Sequence, residues 1–334
     1  MLCCSPGAGV SVSLMLPGDF ISADCRIQVP IGTKFAKSSQ NTFMRPTRIL
    51  FLVTFLFSFH LSYSQSPVQL GLFAGTSNYQ GDLVGGAFVG RFTRLAIGLT
   101  GSYDLSSRFS LRAGYTHAAL EGSDKYNSKE YLRLRNLSFE TKINEFSLVG
   151  VYHIFNADEV RLVPYVFGGL AWFHFNPFAQ DSAGQTVYLK PLSTEGQGLA
   201  QYPARKLYAL GQLAIPFGAG VRFAVSDRIA VGLEAGIRKT FTDYIDDVST
   251  DYVDAADLLA ARGRQAVDFA YRGDEVAGGD PAYPQKGYQR GGANRKDIYY
   301  FTGVHLAFRL GSGEGKTFAG RAGRRGLGCP RVGL

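Results

Sequence analysis

The sequence predicts an all-β protein, folded as one eight-stranded antiparallel transmembrane β-barrel with short periplasmic turns and long outer loops. Three observations support this fold class. Apolar residues alternate with small or charged residues in eight segments. Short and long connections alternate strictly between these segments, as is typical of outer-membrane barrels. The 334 residues include 41 Gly, 25 Phe and 18 Tyr, which favours strands and tight bends over long helices.

Each predicted strand has one apolar face and one face of small or charged residues. In the seventh segment, for example, Val231, Leu233 and Ala235 alternate with glycines and Glu234. A period of two over such a stretch indicates a strand rather than a helix. The eight segments are 68–75, 95–103, 109–116, 145–155, 165–175, 215–223, 231–238 and 300–309.

The connections between the strands fall into two length classes. Tight turns are predicted at 104–107, 156–161 and 226–228. The remaining connections are long and lie near 77–94, 121–137, 176–210 and 242–296. We therefore expect the short turns to face the periplasm and the long loops to face outward from the cell.

The charges on the strands lie on the face that is not apolar. A soluble ligand barrel would have its apolar residues inside and polar residues outside. Here an arginine turned toward lipid would cost about 2–4 kcal/mol near the midplane, so we expect the charges to point into a narrow lumen and to pair there. These predicted interior residues are Arg112, Glu145, Arg222, Glu234, Arg238 and Arg309.

Aromatic residues near the strand ends predict girdles at the membrane interfaces. They are Tyr103, Tyr115, Tyr152, Tyr165, Phe173, Phe175, Tyr299 and Tyr300.

The two ends of the chain lack the alternating pattern of the barrel strands. Arg45 and Arg48 precede an apolar run at 49–61, and Ser62 and Ser64 precede a plausible cleavage point, which together describe a secretory signal peptide. We therefore interpret 1–43 as a spurious N-terminal extension, 44–64 as a signal peptide, 65–311 as the barrel and 312–334 as a flexible basic tail.

The net charge of +8 does not indicate nucleic-acid binding, because it is carried largely by the two ends and leaves the body close to neutral. The four cysteines also lie outside the body: Cys3, Cys4, Cys25 and Cys329. The body can therefore contain no disulfide and no thiolate-bound metal.

The segment RKTFTDYIDDVSTDY at 238–252 raises a separate question about its four aspartates, Asp243, Asp246, Asp247 and Asp251. They could be catalytic acids, calcium ligands or a polar rim. An EF-hand loop fails in the registers that start at Asp243 and Asp247. We expect a solvated rim at the base of the largest outer loop, and a nonstandard calcium site remains an alternative.

No catalytic, cofactor-binding or metal site is predicted, because the familiar hydrolase, phosphate-loop and zinc motifs are absent from the sequence. His153 and His174 lie on neighbouring predicted strands and could meet, which keeps a lipid-modifying barrel enzyme open as an alternative. A histidine hydrogen-bonded inside the barrel is the more ordinary interpretation.

Several phrases resemble a family of small outer-membrane β-barrels of Bacteroidota, which includes the barrel subunit of the type IX (Por) secretion and gliding machinery. They are GLFAGTSNYQGDL (71–83), RNLSFETKINEFSL (135–148), PYVFGGLAWFHFNP (164–177), PLSTEGQGL (191–199), IPFGAGVRF (215–223), RKTFTDYIDDVSTDY (238–252) and YFTGVHLAFRLG (300–311).

The resemblance implies a non-enzymatic component of the outer membrane, in contact with membrane lipid and with a periplasmic ring that contains a lipoprotein. The three short turns would be the surfaces for that ring. A second interpretation is a general structural or surface-binding barrel whose loop 243–296 engages a target outside the cell. The N-terminal extension and the Gly/Arg-rich tail depart from the family pattern.

Overall fold

A computed structural model of the protein describes residues 68–310, and the predicted extension (1–43), signal peptide (44–64) and basic tail (312–334) lie outside this range. Eight long strands make up most of the structure: β1 (Val68–Gln80), β2 (Arg94–Asp104), β3 (Phe109–Ser123), β4 (Ser138–His153), β5 (Leu162–His174), β8 (Gly211–Ala224), β9 (Ile229–Thr240) and β10 (Ile298–Arg309).

The remaining elements lie in the long connections. They are a short hairpin of β6 (Phe178–Gln180) and β7 (Thr186–Tyr188), the α-helices α1 (Glu130–Arg135), α2 (Ala255–Arg262) and α3 (Arg264–Ala270), and the 3-10 turns Gly90–Phe92, Asp124–Tyr126, Lys190–Leu192 and Gly273–Glu275. Among residues 68–310, no helix is both long and apolar enough to cross a membrane.

The eight long strands close into an antiparallel barrel. Pairing runs in the order β1, β2, β3, β4, β5, β8, β9 and β10, and β10 then pairs with β1. All eight predicted strands are confirmed, and most are longer than the alternation alone indicated. β3 and β4, for example, remain paired as far as Ser123 and Ser138.

The alternation of β9 shows how the sequence fills the barrel. Leu233 points outward and is 66% exposed, whereas its neighbour Glu234 points inward and is 9% exposed. Gly236 also points inward, and a Cβ atom at this position would lie 2.6 Å from Arg238 Nη1. Glycine therefore leaves the space that the large inward side chains need.

Aromatic side chains form a row on the outside of β3, β4 and β5. The ring centroids of Tyr115 and Phe146 are 4.9 Å apart, and those of Phe146 and Trp172 are 6.3 Å apart. The girdle prediction is wrong for five of its residues, which are buried because they lie on inward positions or beneath the long connections. These five are Tyr165, Phe173, Phe175, Tyr299 and Tyr300.

The four long connections fold together over one end of the barrel, and we refer to segments 81–93, 124–137, 175–210 and 241–297 as the cap. Part of its interior is an apolar cluster that continues from the barrel core. Tyr208 stacks between Phe175 and Tyr244, with ring centroids 6.2 and 4.8 Å apart. Ile245 and Leu258 are fully buried beside this stack. The long loops are thus a packed layer.

Candidate functional site

The six predicted interior residues all lie on the inward face of the barrel. Arg112, Glu145, Glu234 and Arg238 are buried, and Arg222 and Arg309 are partly buried toward the short-turn end. Two small cavities, of about 40 and 30 Å³, lie among these side chains. Each has room for only a few water molecules.

Glu234 binds one arginine and one tyrosine across the lumen. Arg112 Nη1 donates to Glu234 Oε2 at 2.6 Å, and the Tyr165 hydroxyl donates to the same oxygen at 2.8 Å. The guanidinium of Arg112 also lies over the ring of Phe167, 5.1 Å from its centroid. β3, β5 and β9 are joined through this one carboxylate.

Glu145 repeats the arrangement one layer nearer the cap. Its Oε2 atom accepts from the Tyr299 hydroxyl at 2.7 Å and from Arg238 Nε at 3.3 Å. The Arg238 guanidinium lies 4.2 Å from the centroid of the Phe301 ring. β4, β9 and β10 are joined in the same way.

A third ion pair lies at the short-turn end and includes a carboxylate that was not among the predicted residues. Arg309 Nη2 donates to Asp104 Oδ2 at 3.1 Å, and Gln69 Nε2 donates to the same oxygen at 2.6 Å. Asp104 is the last residue of β2 and on an inward position. The sequence pattern places Asp104 in the first tight turn, so it does not predict an inward side chain there.

The prediction of a solvated rim is wrong for three of the four aspartates. Asp243, Asp246 and Asp247 follow β9 as expected, but they are 3%, 1% and 0% exposed because the cap packs over them. Only Asp251 is partly exposed, and it pairs with Arg205 at 2.8 Å. The segment is thus an internal part of the cap.

Asp246 and Asp297 share one tyrosine at the mouth of the barrel. The Tyr79 hydroxyl lies 2.6 Å from Asp246 Oδ2 and 2.7 Å from Asp297 Oδ1. A hydroxyl has one proton and can donate to only one of these oxygens. The second short contact therefore requires a proton on one of the two carboxyl groups.

The surroundings of this pair favour that proton. Burial, followed by the charge of Asp297, raises the pKa of Asp246 well above its ordinary value, and burial likewise raises the pKa of Asp297. Burial also raises the pKa of Asp243 to about 6. Asp246 and Asp297 lie near the two ends of segment 241–297, so the shared tyrosine fixes both ends to β1.

Glu195 organises the cap and was missed in the sequence. Its Oε1 accepts from the backbone N–H of Ser249 at 2.8 Å and from Arg290 Nη1 at 3.0 Å. Its Oε2 accepts from the backbone N–H and the hydroxyl of Thr250, at 3.0 and 2.7 Å. The carboxylate is completely buried. Its only sequence signal was its position within the phrase PLSTEGQGL.

Asp247 makes the reciprocal connection between the same two segments. Its carboxylate accepts from the Thr194 hydroxyl at 2.5 Å and from the Tyr208 hydroxyl at 2.7 Å. Its backbone has a left-handed φ of 62°, and its carbonyl accepts from Arg290 Nη1 at 2.6 Å. Segments 175–210 and 241–297 are thus joined through two buried carboxylates and one arginine.

His153 and His174 do not meet in the structure. His153 is in register with Tyr165 toward the short turns, whereas His174 is in register with Asn144 at the opposite end. His153 Nε2 lies 3.4 Å from Ser110 Oγ inside the barrel. Within the described range 68–310, no group of three or more His, Cys, Asp or Glu side chains could hold a metal ion.

Residues 47–259 match the family described as "Domain of unknown function (DUF6089)", and the chain belongs to that family. No curated protein sequence matches the chain.

Several solved structures are similar in chain trace. Neisserial surface protein A (NspA) is 7% identical with a TM-score of 0.37, over 74% of this chain and 99% of that one. Ail from Yersinia pestis, in complex with the heparin analogue sucrose octasulfate, is 7% identical with a TM-score of 0.36, over 74% of this chain and 100% of that one. The E. coli outer membrane protein W is 11% identical with a TM-score of 0.33, over 74% of this chain and 100% of that one. At these TM-scores, the similarities have no bearing on function.

Proposed function

We propose that the protein is an integral β-barrel of the outer membrane, held there by contact with lipid. The observation that carries this proposal is the outward face of the barrel, on which Leu95, Leu170 and Leu233 are 69%, 66% and 66% exposed. Apolar surface of this extent is unfavourable in water and is favourable in a bilayer. A closed barrel also satisfies its backbone hydrogen bonds internally, as a membrane requires.

This proposal is tested on the full chain isolated from membranes. A barrel in lipid or detergent should resist dissociation, so we expect boiled and unboiled samples to migrate differently on a gel. Release of the protein from membranes by carbonate would contradict the proposal.

Within this class, our proposal is a non-enzymatic component of the type IX secretion and gliding machinery, in contact with a periplasmic lipoprotein ring. The resemblance of the phrases between residues 71 and 311 supports it. The short-turn end adds a physical argument, because each turn exposes at least one apolar side chain. Leu105, Phe155 and Val225 are 58%, 53% and 55% exposed, and apolar groups of this kind favour protein contacts.

Deletion of the gene tests this assignment, with export of cargo proteins as the measurement. We expect cargo to accumulate inside the cell and the wild-type gene to restore export. A triple variant with Leu105→Ser, Phe155→Ser and Val225→Ser should restore export poorly, whereas Leu259→Ser, an exposed leucine on the cap, should restore it fully. Undiminished secretion after deletion would overturn the assignment.

A second candidate is a structural or surface-binding barrel whose cap engages a target outside the cell. The observation that favours it is the packing of the cap, which presents Tyr288 and Leu259 at 65% and 48% exposure on an ordered surface. Removal of residues 250–292 should abolish surface binding and spare secretion if this candidate is correct. The same removal would leave surface binding unchanged if the cap has no target.

The geometry does not favour a lipid-modifying enzyme that uses His153 with His174, since these two histidines lie at opposite ends of the barrel. His153→Ala and His174→Ala should leave the lipid A profile unchanged. A changed lipid A profile in either variant would support the enzyme hypothesis.

A further inference from the structure

The charges inside the barrel do not balance. Apart from Arg94 at the cap end of β2, which pairs with Glu121, the inward positions of the described strands hold four arginines and three carboxylates. The ion pairs use each carboxylate once: Arg112 with Glu234, Arg238 with Glu145, and Arg309 with Asp104. The fourth arginine, Arg222, forms no ion pair with these three carboxylates.

Arg222 has charged neighbours but no close partner among the described residues. No carboxylate oxygen lies within 4.0 Å of its guanidinium, and no hydrogen bond to it is formed by residues 68–310. Asp104 and, more weakly, Asp158 in the second short turn attract it from longer distances, and Arg309 repels it. Asp104 is already engaged by Arg309 and Gln69. A partly buried cation is therefore incompletely neutralised.

The larger lumen cavity lies beside this cation. The cavity has a volume of about 40 Å³, and Arg222 lines it together with Arg112, Ser110, His153 and His305. Asp104 and Gln69 also line it. Two guanidinium groups, two imidazoles and a hydroxyl thus surround a space large enough for a small ion.

We propose that this cavity binds one small monovalent inorganic anion of halide size, such as chloride, next to Arg222. An anion there would make the lumen charges equal and would reduce the cost of burying an unpaired guanidinium. A cavity of this volume holds a few water-sized particles, so a halide fits. The charge of the nearby Asp104 carboxylate is paired with Arg309, and Gln69 donates a hydrogen bond to the same oxygen, so Asp104 does not prevent the binding.

Bromide in place of chloride makes the site visible by X-ray anomalous scattering. Crystals of the full chain are prepared in sodium bromide, and the anomalous difference map is calculated for the wild type, Arg222→Gln and the control Arg228→Gln. Arg228 is an exposed arginine in the short turn at the same end of the barrel, so its loss tests whether any nearby positive charge suffices.

We expect an anomalous peak in the cavity of the wild type and of Arg228→Gln, and no peak in Arg222→Gln. Arg222→Lys keeps the charge and should keep the peak. A wild-type cavity without bromide, or a peak that persists in Arg222→Gln, would overturn the proposal.

Thermal unfolding in detergent gives a second measurement that needs no crystals. The Tm of the wild type should rise with the concentration of chloride at constant ionic strength, with gluconate as the replacing anion. Arg228→Gln should show the same rise, and Arg222→Gln should show none. An equal rise in all three proteins would indicate general salt effects and would contradict a site at Arg222.

Discussion

The lumen and the cap both bury carboxylates, but they hold them in different ways. In the lumen, Glu145 and Glu234 each accept hydrogen bonds from one arginine and one tyrosine side chain. In the cap, Glu195 accepts from the backbone of Ser249 and Thr250 as well as from Arg290. In the lumen, paired strands fix the positions of the side chains. In the cap, a side chain fixes the position of the backbone.

This difference separates two kinds of stability. Loss of a lumen contact should weaken the barrel as a whole, because its partners belong to strands that are paired around a closed ring. Loss of a cap contact should open the cap locally and leave the strands intact. Variants in each region, compared by hydrogen exchange and by global unfolding, therefore test whether the cap and the barrel unfold separately.

The largest effect is expected from Glu195→Ala. The change leaves Arg290, which is 3% exposed, without its carboxylate partner and removes the acceptor of two backbone N–H groups. Breaking a buried ion pair in this way costs about 3–5 kcal/mol. Hydrogen exchange should show that the free energy of opening of segment 241–297 falls by about 3–5 kcal/mol. The protection of the barrel strands should not change.

Glu275→Ala is the matched control for Glu195→Ala. Glu275 also pairs with an arginine in the cap, but its side chain is 41% exposed. Exposed pairs contribute about 0–1 kcal/mol, so protection should hardly change. Equal loss of protection in the strands and the cap of Glu195→Ala would show that the cap and barrel unfold as one unit.

The next largest effect is expected in the lumen, from Glu234→Gln. The substitution keeps the shape but removes the charge that binds Arg112 at 2.6 Å. A hydrogen bond to a charged group contributes about 1.5–3 kcal/mol, so the free energy of unfolding of the barrel should fall by about 2 kcal/mol. Denaturant unfolding in detergent measures this loss.

Glu159→Gln, in an exposed short turn, should leave the unfolding free energy within about 0.5 kcal/mol of the wild type. A change at Glu234 that appeared only as local exchange in the cap would contradict the proposed division between the two regions.

The sequence predicted the barrel well because its signal is local. Alternation places Leu233 outside and Glu234 inside whatever the distant strands do, and all eight strands were found from it. The cap depends on contacts between distant residues, such as Glu195 with Ser249 or Tyr79 with Asp297. Residue spacing along the chain does not indicate such long-range contacts. The polar segment 243–251 was therefore expected to be solvated.

One part of the cap did have a readable signal. In DAADLLAARG (254–263), an N-capping aspartate precedes an Ala/Leu-rich run that ends at a glycine, which is the pattern of a short helix. The structure shows α2 there, with Asp254 as its N-cap and Gly263, at φ 84°, as its C-cap. We missed it because the segment lies inside a long connection of a barrel.

The buried carboxyl groups of the cap should make its stability depend on pH. The folded cap raises the pKa of Asp246 and Asp297 through burial, and that of Asp243 to about 6. A raised carboxyl pKa stabilises the fold below the ordinary value near 4, and this stabilisation is lost as pH rises through the folded pKa. We therefore expect the free energy of cap opening to fall with rising pH, by about 1.4 kcal/mol per pH unit for each proton released.

Hydrogen exchange in 241–297, corrected for the intrinsic effect of pH, measures this slope. Asp246→Asn substitutes a neutral amide for the acid beside Tyr79, so the slope should decrease in this variant. Asp268→Asn, whose side chain is 46% exposed on α3, should keep the wild-type slope. Cap protection that rises with pH in the wild type would contradict the shared proton.

The smallest effect separates local helix stability from the buried contacts of the cap. Asp254 caps α2 by accepting from the backbone N–H of Ala256 at 2.8 Å, and its own N–H donates to the Tyr202 hydroxyl. Asp254→Ala removes only the first contact, and loss of such a cap costs about 1 kcal/mol. Protection should fall within α2 and remain unchanged around Glu195, because the buried carboxylate does not depend on the helix. A loss of protection that extended to Ser249 would show that the helix and the carboxylate network open together.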